Sequence, residues 1–265
     1  MFAAASRYGR IALQLARVGV VRKSQFRVDF FCQVLMDAFW YASHVGVFEV
    51  LYTHTPDIAG WNREHFRVLL GFLFVSDAFM MIWLGQFWRF GRDLKDGRLD
   101  PYRVRPAATL FLYGFQQFSL EGCVNMAMAF GYLIYGMLVA LGGFTPATAL
   151  VTLFAIALSF WVRVVVVTLF SMFELWLLGS DLTRFLHDLF HATTDRPVDL
   201  FGARFRLFLL YIVPVGALTQ LPAAIVLGRY DLLHAAVATV WLLALGVLVF
   251  HGWSRGFRRY ESAMG

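Results

Sequence analysis

The sequence predicts an all-α integral membrane protein with six transmembrane helices, an N-terminal interfacial amphipathic helix and both termini in the cytoplasm. Of the 265 residues, 60% are hydrophobic and only 15% are charged, whereas a soluble domain typically carries about 25% charged residues. The apolar residues form stretches of about 20 residues or more, the length that crosses a bilayer. Basic residues cluster between some of these stretches, so the positive-inside rule orients the chain. We treat residues 1–265 as one domain.

Six stretches of the chain are long and apolar enough to form transmembrane helices. They cover residues 28–51, 66–90, 107–141, 147–178, 206–227 and 232–253. The fifth stretch contains Pro214 and Pro222, and each proline removes a backbone donor and clashes with the preceding helical turn. Two interpretations of this stretch remain open, namely a broken helix that is covered by protein or lines a wet cavity, and a simple kink.

The Lys and Arg residues orient the six stretches. The basic segments are the N-terminus, residues 91–106, the loop after the fourth stretch with Arg196, Arg204 and Arg206, and the C-terminus. With six crossings all of these segments fall on one side, which the rule makes cytoplasmic. The rule also explains the net charge of +6 without nucleic acid as a partner.

Residues 1–25 are predicted to form a helix on the inner membrane surface. Arg7, Arg10, Gln14 and Arg17 follow one another at helical spacing and form one polar stripe. Small and apolar residues occupy much of the remaining helix surface, as is typical of a helix that lies in the membrane interface. The alternative is an unstructured basic tail that only sets the topology.

The sequence lacks the common motifs of nucleotide binding and catalysis. It contains no Gly-x-x-x-x-Gly-Lys-Ser/Thr, Gly-x-Ser-x-Gly or His-Glu-x-x-His sequence. Cys32 and Cys123 lie inside apolar stretches and predict neither a disulfide framework nor a metal site. His187 and His191 have a spacing that can bind metal, but without an obvious third ligand a solvated helix face is the better interpretation. We expect neither an enzyme nor a cofactor bound by this chain.

Several charged residues lie within the apolar stretches, namely Asp37, Asp77, Glu121, Arg163 and, near the end of its span, Glu174. A charge at the bilayer centre costs about 2.5–3.5 kcal/mol on insertion scales, so such residues usually face the interior of a helix bundle and find partners. Counting along the helices places Arg163 at a depth similar to that of Glu121 and Asp77, so either acid could pair with it. A buried bridge that fixes helix register and a role on a substrate path both remain open.

Residues 91–106 form a dense polar insert between two apolar stretches, and we expect them to protrude into the cytoplasm. On a continuous helix three aspartates would share one face through spacings of three and four: Asp93, Asp96 and Asp100. The pair Asp96-Gly97 is also a turn signal at which the helix could stop. Either arrangement would offer charges, Leu94 and Leu99 to a groove on a soluble partner.

Several short motifs occur in an order that is similar to one family. They are Ile58-Ala59-Gly60-Trp61, Lys95-Asp96-Gly97-Arg98-Leu99-Asp100, Arg105-Pro106, Asp195-Arg196-Pro197-Val198-Asp199-Leu200-Phe201, Ile212-Val213-Pro214, Leu221-Pro222-Ala223 and Arg258-Arg259-Tyr260-Glu261-Ser262-Ala263. Over nearly its whole length the chain resembles the bacterial ABC type-2 transporter permeases, in the branch described as uncharacterised ABC transport system permeases. The Gly-Arg-Leu-Asp and Arg-Pro block is the most specific part of this resemblance.

The resemblance implies the permease subunit of an ATP-driven exporter in the bacterial inner membrane. Such a permease pairs with a second permease, identical or related, along the first and fifth spans. Two ABC ATPase subunits, which bind ATP and Mg, drive the pair from the cytoplasm. The ATPase-coupling residues implied are Arg92, Asp93, Leu94, Lys95, Asp96, Gly97, Arg98, Leu99 and Asp100.

The substrate class and two competing functions remain open at this point. The broad apolar lining of the spans suggests an amphipathic or lipid-like substrate, with membrane lipid as a further partner. The first alternative is a secondary transporter driven by a gradient, which would transport without a partner and stop when an uncoupler is added. The second is a membrane scaffold that recruits a cytoplasmic protein, and it would tolerate removal of the charges within the spans.

Overall fold

The structure is a computed structural model, and it describes residues 2–24, 27–105, 108–177, 188 and 194–260. The helices α1 to α11 span Phe2–Ser24, Arg27–His54, Arg63–Phe79, Phe90–Lys95, Asp100–Arg103, Thr109–Gly114, Leu120–Leu141, Pro146–Leu177, Ala203–Leu207, Gly216–Val226 and Leu232–Arg259. Helices of other types cover Met80–Leu84 and Phe208–Ile212 (π) and Gly85–Arg89 and Val198–Leu200 (3-10). Within these ranges the strands β1, Asp57–Ile58, and β2, Trp61–Asn62, form one short hairpin.

Five helical segments of the described chain are long and apolar enough to cross a membrane. They are α2, the joined segment Arg63–Lys95, α7, α8 and α11. A further candidate is the pair Ala203–Ile212 and Gly216–Val226, whose two helices are bent by 95°. The prediction of an all-α membrane protein is therefore confirmed, with five or six candidate spans.

Helix α3 lies at the centre of the bundle, and α7, α8 and α10 pack against it. Two glycines allow α3 and α7 to approach closely, because a Cβ atom at Gly71 would lie 2.8 Å from the Cα atom of Leu133 and one at Gly136 would lie 3.1 Å from the carbonyl carbon of Arg67. Small residues commonly serve helix packing in membranes, where close van der Waals contact supplies much of the association energy.

Both described termini lie at one end of the bundle, which we call the α4 end. The Tyr260 hydroxyl, beyond α11, donates to the carbonyl oxygen of Leu94 in α4 at 3.3 Å. Near the N-terminus, the Ala108 amide donates to the Tyr8 hydroxyl in α1 at 3.1 Å. Helix α1 thus packs beside the chain that follows the polar insert. Its position at a membrane surface stays a prediction.

The opposite end of the bundle carries the β1–β2 hairpin, and we call it the hairpin end. Residues that follow the fourth stretch lie here, because the Trp61 indole nitrogen donates to Asp199 Oδ2 at 3.1 Å and Arg206 donates to Asp199 Oδ1 at 3.2 Å. Helix α8, in contrast, finishes at the α4 end, where Arg259 lies over the Trp176 ring. Leu177 and Val198 therefore lie at opposite ends of the bundle.

This placement corrects the predicted topology of the third basic loop. Arg196, Arg204 and Arg206 were expected on the same side as residues 91–106, but the segment that carries them lies at the hairpin end. The positive-inside rule is a statistical rule about uncompensated charge in loops. Here the charge of Arg206 is compensated by Asp199, so Arg206 does not indicate on which side of the membrane this loop lies.

The predicted fifth span, residues 206–227, is also wrong, because this segment enters and leaves the bundle at the same end. Before it, Arg206 bonds to Asp199; after it, the guanidinium of Arg229 lies 4.2 Å from the centre of the Trp61 ring. The turn falls at Pro214, where Val213 leaves the helical region with φ −109° and ψ 86°. The segment is a re-entrant helical pair.

The two prolines of this segment differ in effect. Pro222 lies inside the unbroken helix α10, contrary to the prediction that both prolines interrupt the helix. A proline deprives the carbonyl four residues earlier of its donor, and that carbonyl, of Leu218, instead accepts a hydrogen bond from Ser159 Oγ of α8 at 2.7 Å. Pro214 is buried by the chain's own helices, so the break at this point is already covered.

The predicted third span, residues 107–141, begins later than expected. Helix α6 ends at Gly114, and α7 starts at Leu120 with Ser119 as its N-cap, whose hydroxyl accepts from the Gly122 amide at 3.0 Å. The Ser119 amide donates to the Ile82 carbonyl oxygen, in the π turn of the second span. Residues 91–95 therefore lie beyond the start of α7 by about 14 to 20 Å, at about 1.5 Å per helical residue counted from Ile82.

Candidate functional site

The buried charge at the centre of the bundle is an ion pair between Arg163 of α8 and Asp77 of α3. Arg163 is only 1% exposed; its Nη2 donates to Asp77 Oδ1, and its Nε donates to Ser76 Oγ at 2.9 Å. Two neighbouring residues on α3 thus hold one guanidinium. Of the two acids that depth allowed as partners, the structure joins Asp77 to Arg163.

Glu121 lies in a different environment from Asp77. It is the second residue of α7, buried, and accepts a hydrogen bond from the Ser119 hydroxyl at 3.0 Å. The positive end of the helix dipole stabilises a carboxylate in the first turn. The prediction that Glu121 lies as deep in its span as Asp77 is wrong, because it counted from residue 107 whereas α7 begins at Leu120.

Asp37 of α2 is the third acid of the membrane-spanning region. It accepts hydrogen bonds from Gln33 Nε2 at 3.2 Å and, across the helix interface, from Asn125 Nδ2 of α7 at 2.7 Å. The same Asn125 nitrogen lies 3.4 Å from the Met81 sulfur in the π turn. π-helical turns inside longer helices are frequent at functional sites, and this one joins the Asp37 and Asp77 neighbourhoods.

A cavity of about 360 Å³ separates α2 from the second span and contains both carboxylates, Asp37 and Asp77. Its other lining residues are Trp40, Tyr41, Met80, Met81 and Trp88. A second cavity of about 530 Å³ follows along α2 toward the hairpin end, between His44, Leu51 and Pro197. The Trp40 and His44 rings, 4.0 Å apart, stand between the two cavities.

One face of α2 lines both cavities. Its residues are Asp37, Trp40, Tyr41, His44, Val47, Phe48 and Leu51, which follow at spacings of three and four, the repeat of a helix face. The sequence prediction recognised Asp37 but missed Trp40, Tyr41, Ser76 and Asn125. The spacing of aromatic residues after Asp37 was the available signal, whereas nothing in the sequence alone singles out Ser76 or Asn125.

The polar insert is folded against the bundle. Helix α4 ends at Gly97, whose positive φ of 67° is favourable for glycine. The Arg98 amide donates to the Asp93 carbonyl and the Gly97 amide to the Leu94 carbonyl, the hydrogen bonds of a Schellman cap. The Asp93 carboxylate is buried and accepts from Gln86 Nε2 at 2.7 Å and from the Tyr113 hydroxyl at 3.0 Å.

Four of the predicted coupling residues of the insert are buried in this chain and unavailable to another subunit: Asp93, Leu94, Gly97 and Leu99. Leu94 and Leu99 are buried in this chain, in a cluster with Phe87, Phe90 and Tyr113, and were wrongly expected to enter a partner's groove. The predicted stop at Asp96-Gly97 is confirmed, so Asp93, Asp96 and Asp100 do not share one continuous helix. The two leucines and the buried Asp93 anchor the insert, whereas its basic residues and Asp96 face out.

The exposed surface of the insert is basic and has one large apolar residue. Its members are Arg92, Lys95, Asp96, Arg98, Arg103, Val104 and Arg105, which we call the basic rim. Val104 is 85% exposed. Beneath the rim, burial raises the pKa of Tyr102, so at neutral pH its hydroxyl keeps the proton that it donates to Gln116.

His187 and His191 lie outside the described residues. Across the ranges that the structure describes, no group of three or more His, Cys, Asp or Glu side chains could hold a metal ion.

Comparison with known proteins gives one match. The sequence model of a family described as "ABC-2 family transporter protein" matches residues 38–264. No curated protein matches the chain, and no solved structure does. The matched range includes the paired charges, the insert, the re-entrant pair and the lining of both α2 cavities except Asp37, which lies one residue before it.

Proposed function

The chain belongs to the ABC-2 transporter family as a permease subunit, and from that premise we propose that it is the membrane half of an ATP-driven exporter. ATP and Mg bind to two separate ATPase subunits, and a second permease, identical or related, completes the path. The α4 end faces the cytoplasm of a bacterial cell, and the hairpin end faces outward across the inner membrane.

The basic rim is the observation that supports this proposal most directly. Its first two residues, Arg92 and Lys95, belong to the helical segment Arg63–Lys95, which at about 50 Å exceeds the roughly 30 Å hydrocarbon core. The rim therefore lies beyond the bilayer, and the buried Asp93 and Leu99 fix its shape. Arg side chains around one exposed Val104 suit an acidic groove with an apolar floor on the ATPase.

The paired charges support a path that runs beside α2. Arg163 and Asp77 are connected to α4 through the second span, because Asp77 and the rim residues Arg92 and Lys95 belong to one helical segment. A movement of the rim by an ATPase would therefore be transmitted along that segment to the cavity that contains Asp77. The cavity walls are aromatic and apolar apart from the carboxylates, which suits an amphipathic or lipid-like substrate.

Co-purification in mild detergent tests the proposal. We expect an ABC ATPase to be recovered with the wild-type chain, and expect Val104→Asp and Arg92→Glu to reduce that recovery about tenfold, as loss of a central apolar contact or a charge pair at an interface does. The matched control is Arg255→Glu, also exposed and at the α4 end but outside the rim.

Equal recovery with all three variants would contradict docking at the rim. Recovery of no ATPase from the wild type, together with transport in liposomes that an uncoupler abolishes, would instead support a gradient-driven transporter.

A further inference from the structure

We propose that the α2 cavity at Asp37 and Asp77 binds a protonated amine with an apolar body, and that such amines are the substrate class of the exporter. The identification of this class as a transport substrate rests on the proposed function, whereas the binding site itself does not. The cavity, of about 360 Å³, is in the range of about 300–1,000 Å³ that accommodates small organic ligands.

The charge of the cavity favours a single positive charge on the ligand. Arg163 offsets the charge of Asp77, while the groups bonded to Asp37 in the described structure are the neutral amides of Gln33 and Asn125. Asp37 lies about 15 Å into α2, counted from Arg27 at about 1.5 Å per residue. A carboxylate at that depth is costly without a cation, so a cationic ligand would be stabilised there.

The walls of the cavity favour an organic cation over a metal ion. Trp40, Tyr41 and Trp88 supply aromatic surface, and aromatic faces attract ammonium groups that are held against them. Met80 and Met81 add apolar, polarizable surface. A metal ion would need several oxygen, nitrogen or thiolate ligands, and the described residues form no group of three or more His, Cys, Asp or Glu side chains here.

The Tyr41 hydroxyl is an independent indication of a ligand with an N–H group. Tyr41 is only 9% exposed, and its hydroxyl oxygen has no hydrogen-bond partner among the described residues. Tyr41 lines the same cavity as Asp37 and Asp77. A buried hydroxyl without a partner costs stability, and an ammonium N–H that donates to this oxygen while bound to Asp37 would remove that cost.

Three dansyl probes that differ at one nitrogen test the site. Dansylcadaverine carries a primary ammonium, its trimethylammonium analogue keeps the charge without an N–H, and its N-acetyl derivative is neutral. Binding to the full chain in nanodiscs, without ATPase, is followed by dansyl fluorescence. For wild-type protein we expect the order primary ammonium, trimethylammonium, N-acetyl, with steps of about tenfold, the effect of one charge-assisted contact.

The variants separate the contributions of charge, hydrogen bond and aromatic wall. Asp37→Asn should weaken both cations about tenfold and leave the N-acetyl probe unchanged, whereas Asp37→Glu should restore binding. Tyr41→Phe should weaken only the primary ammonium, and Trp40→Leu should weaken both cations. Two controls should bind as wild type: Phe39→Leu, on the outward face of α2, and Glu64→Gln, an exposed carboxylate elsewhere.

Two results would overturn the site. One is equal binding of the primary ammonium to wild type, Asp37→Asn and Trp40→Leu. The other is N-acetyl binding with the same dependence on these residues, which would make the cavity a merely apolar pocket. Because Tyr41→Phe and Trp40→Leu preserve the acid, they decide the question even if Asp37→Asn fails to fold. Neither result depends on whether an ATPase co-purifies, which tests the exporter separately.

Discussion

At the level of single residues, Arg163 is the group whose environment matters most for stability. Its guanidinium is held by Asp77 and Ser76, which are adjacent on α3, so the contact fixes the rotation of α3 against α8. Replacing a buried ion pair with apolar residues is often neutral, but removal of one partner leaves an uncompensated charge and typically costs about 3–5 kcal/mol.

We therefore expect Arg163→Leu to lower the yield of folded protein severely, and Asp77→Asn in the same chain to restore much of it. The reason is that the second change removes the charge that the first leaves unpaired. Folded yield and thermal stability in detergent, followed by fluorescence-detected size exclusion, measure both effects. The control is Glu121→Gln, which should give no rescue; rescue by Glu121→Gln instead of Asp77→Asn would contradict the pairing.

The charged residues themselves were predictable from the sequence, because Asp and Arg stand out in apolar stretches. The acid that pairs with Arg163 was not predictable, since residues 107–141 are apolar almost throughout and give no sign that α7 begins only at Leu120. Ser119 followed by Glu121 is compatible with an N-cap, but a serine within an apolar stretch is equally compatible with a helix interior. Depth counted along the sequence failed where a span boundary was misplaced.

At the level of elements, the re-entrant pair shows how composition can imitate a span. Residues 206–227 have the length and apolar content of a crossing, and Pro214 alone divides them into two short helices. Such non-spanning backbone is tolerated at membrane depth when protein covers it. Helices α3 and α8 provide that cover for α10, and Ser159 supplies the donor that Pro222 lacks.

The Ser159–Pro222 relation gives a prediction for a double-mutant cycle. Ser159→Ala should destabilise the protein by about 1–3 kcal/mol, because the Leu218 carbonyl is left buried without a donor. In a Pro222→Ala background the same change should cost clearly less, since residue 222 then provides the N–H. Thermal stability of the four proteins in detergent measures the coupling.

The matched control for this cycle is Ser171→Ala, at a buried serine on the same helix α8. Its hydroxyl donates to the Val167 carbonyl of its own helix, and that carbonyl already has a backbone donor. We expect Ser171→Ala to lower the stability only slightly, whether residue 222 is proline or alanine. If Ser159→Ala costs the same with proline or alanine at position 222, the serine is not replacing the missing backbone donor.

The insert illustrates what local sequence can and cannot predict. Asp96-Gly97 is a turn signal of adjacent residues, and the helix does end there with Gly97 as its left-handed cap. The burial of Leu94 and Leu99 depends on residues distant in sequence, among them Tyr260, whose hydroxyl reaches the Leu94 carbonyl. Without a partner structure, a leucine in a polar segment is equally consistent with packing inward and with docking outward.

At the level of the whole molecule, α2 is the least buried of the candidate spans. Its outward face, with Phe31, Leu35 and Phe39, is broadly apolar, as lipid or a second permease requires. The fifth stretch does not offer a comparable surface on α10, since Ala217 is fully buried in this chain. We therefore propose that a second permease contacts this chain along α2, the first span, and not along the fifth stretch.

Disulfide crosslinking in membranes tests this interface. In a background with Cys32→Ser and Cys123→Ser, we expect Leu35→Cys to form a crosslinked dimer with a second copy or with a related permease carrying the equivalent change. Leu150→Cys on α8 is the control, because its exposure of 68% nearly equals the 71% of Leu35. Crosslinking that is equally efficient at both positions would reflect random collision and would count against α2 as the interface.

The two ends of the bundle give the last prediction, because they assign opposite sides to segments that the basic residues alone placed together. Arg204 belongs to the re-entrant pair at the hairpin end, while Arg92 belongs to the basic rim at the α4 end, and both side chains are exposed. In the same cysteine-free background, a membrane-impermeant maleimide added to intact spheroplasts should label Arg204→Cys and should label Arg92→Cys only after lysis. The two variants replace the same residue type, so reactivity differs only through access.

Protection of both positions in intact spheroplasts would restore the topology predicted from charge and would contradict the re-entrant pair. Labelling of Arg92→Cys alone would keep the fold but invert its orientation in the membrane. The basic rim would then lie where no cytoplasmic ATPase could reach it.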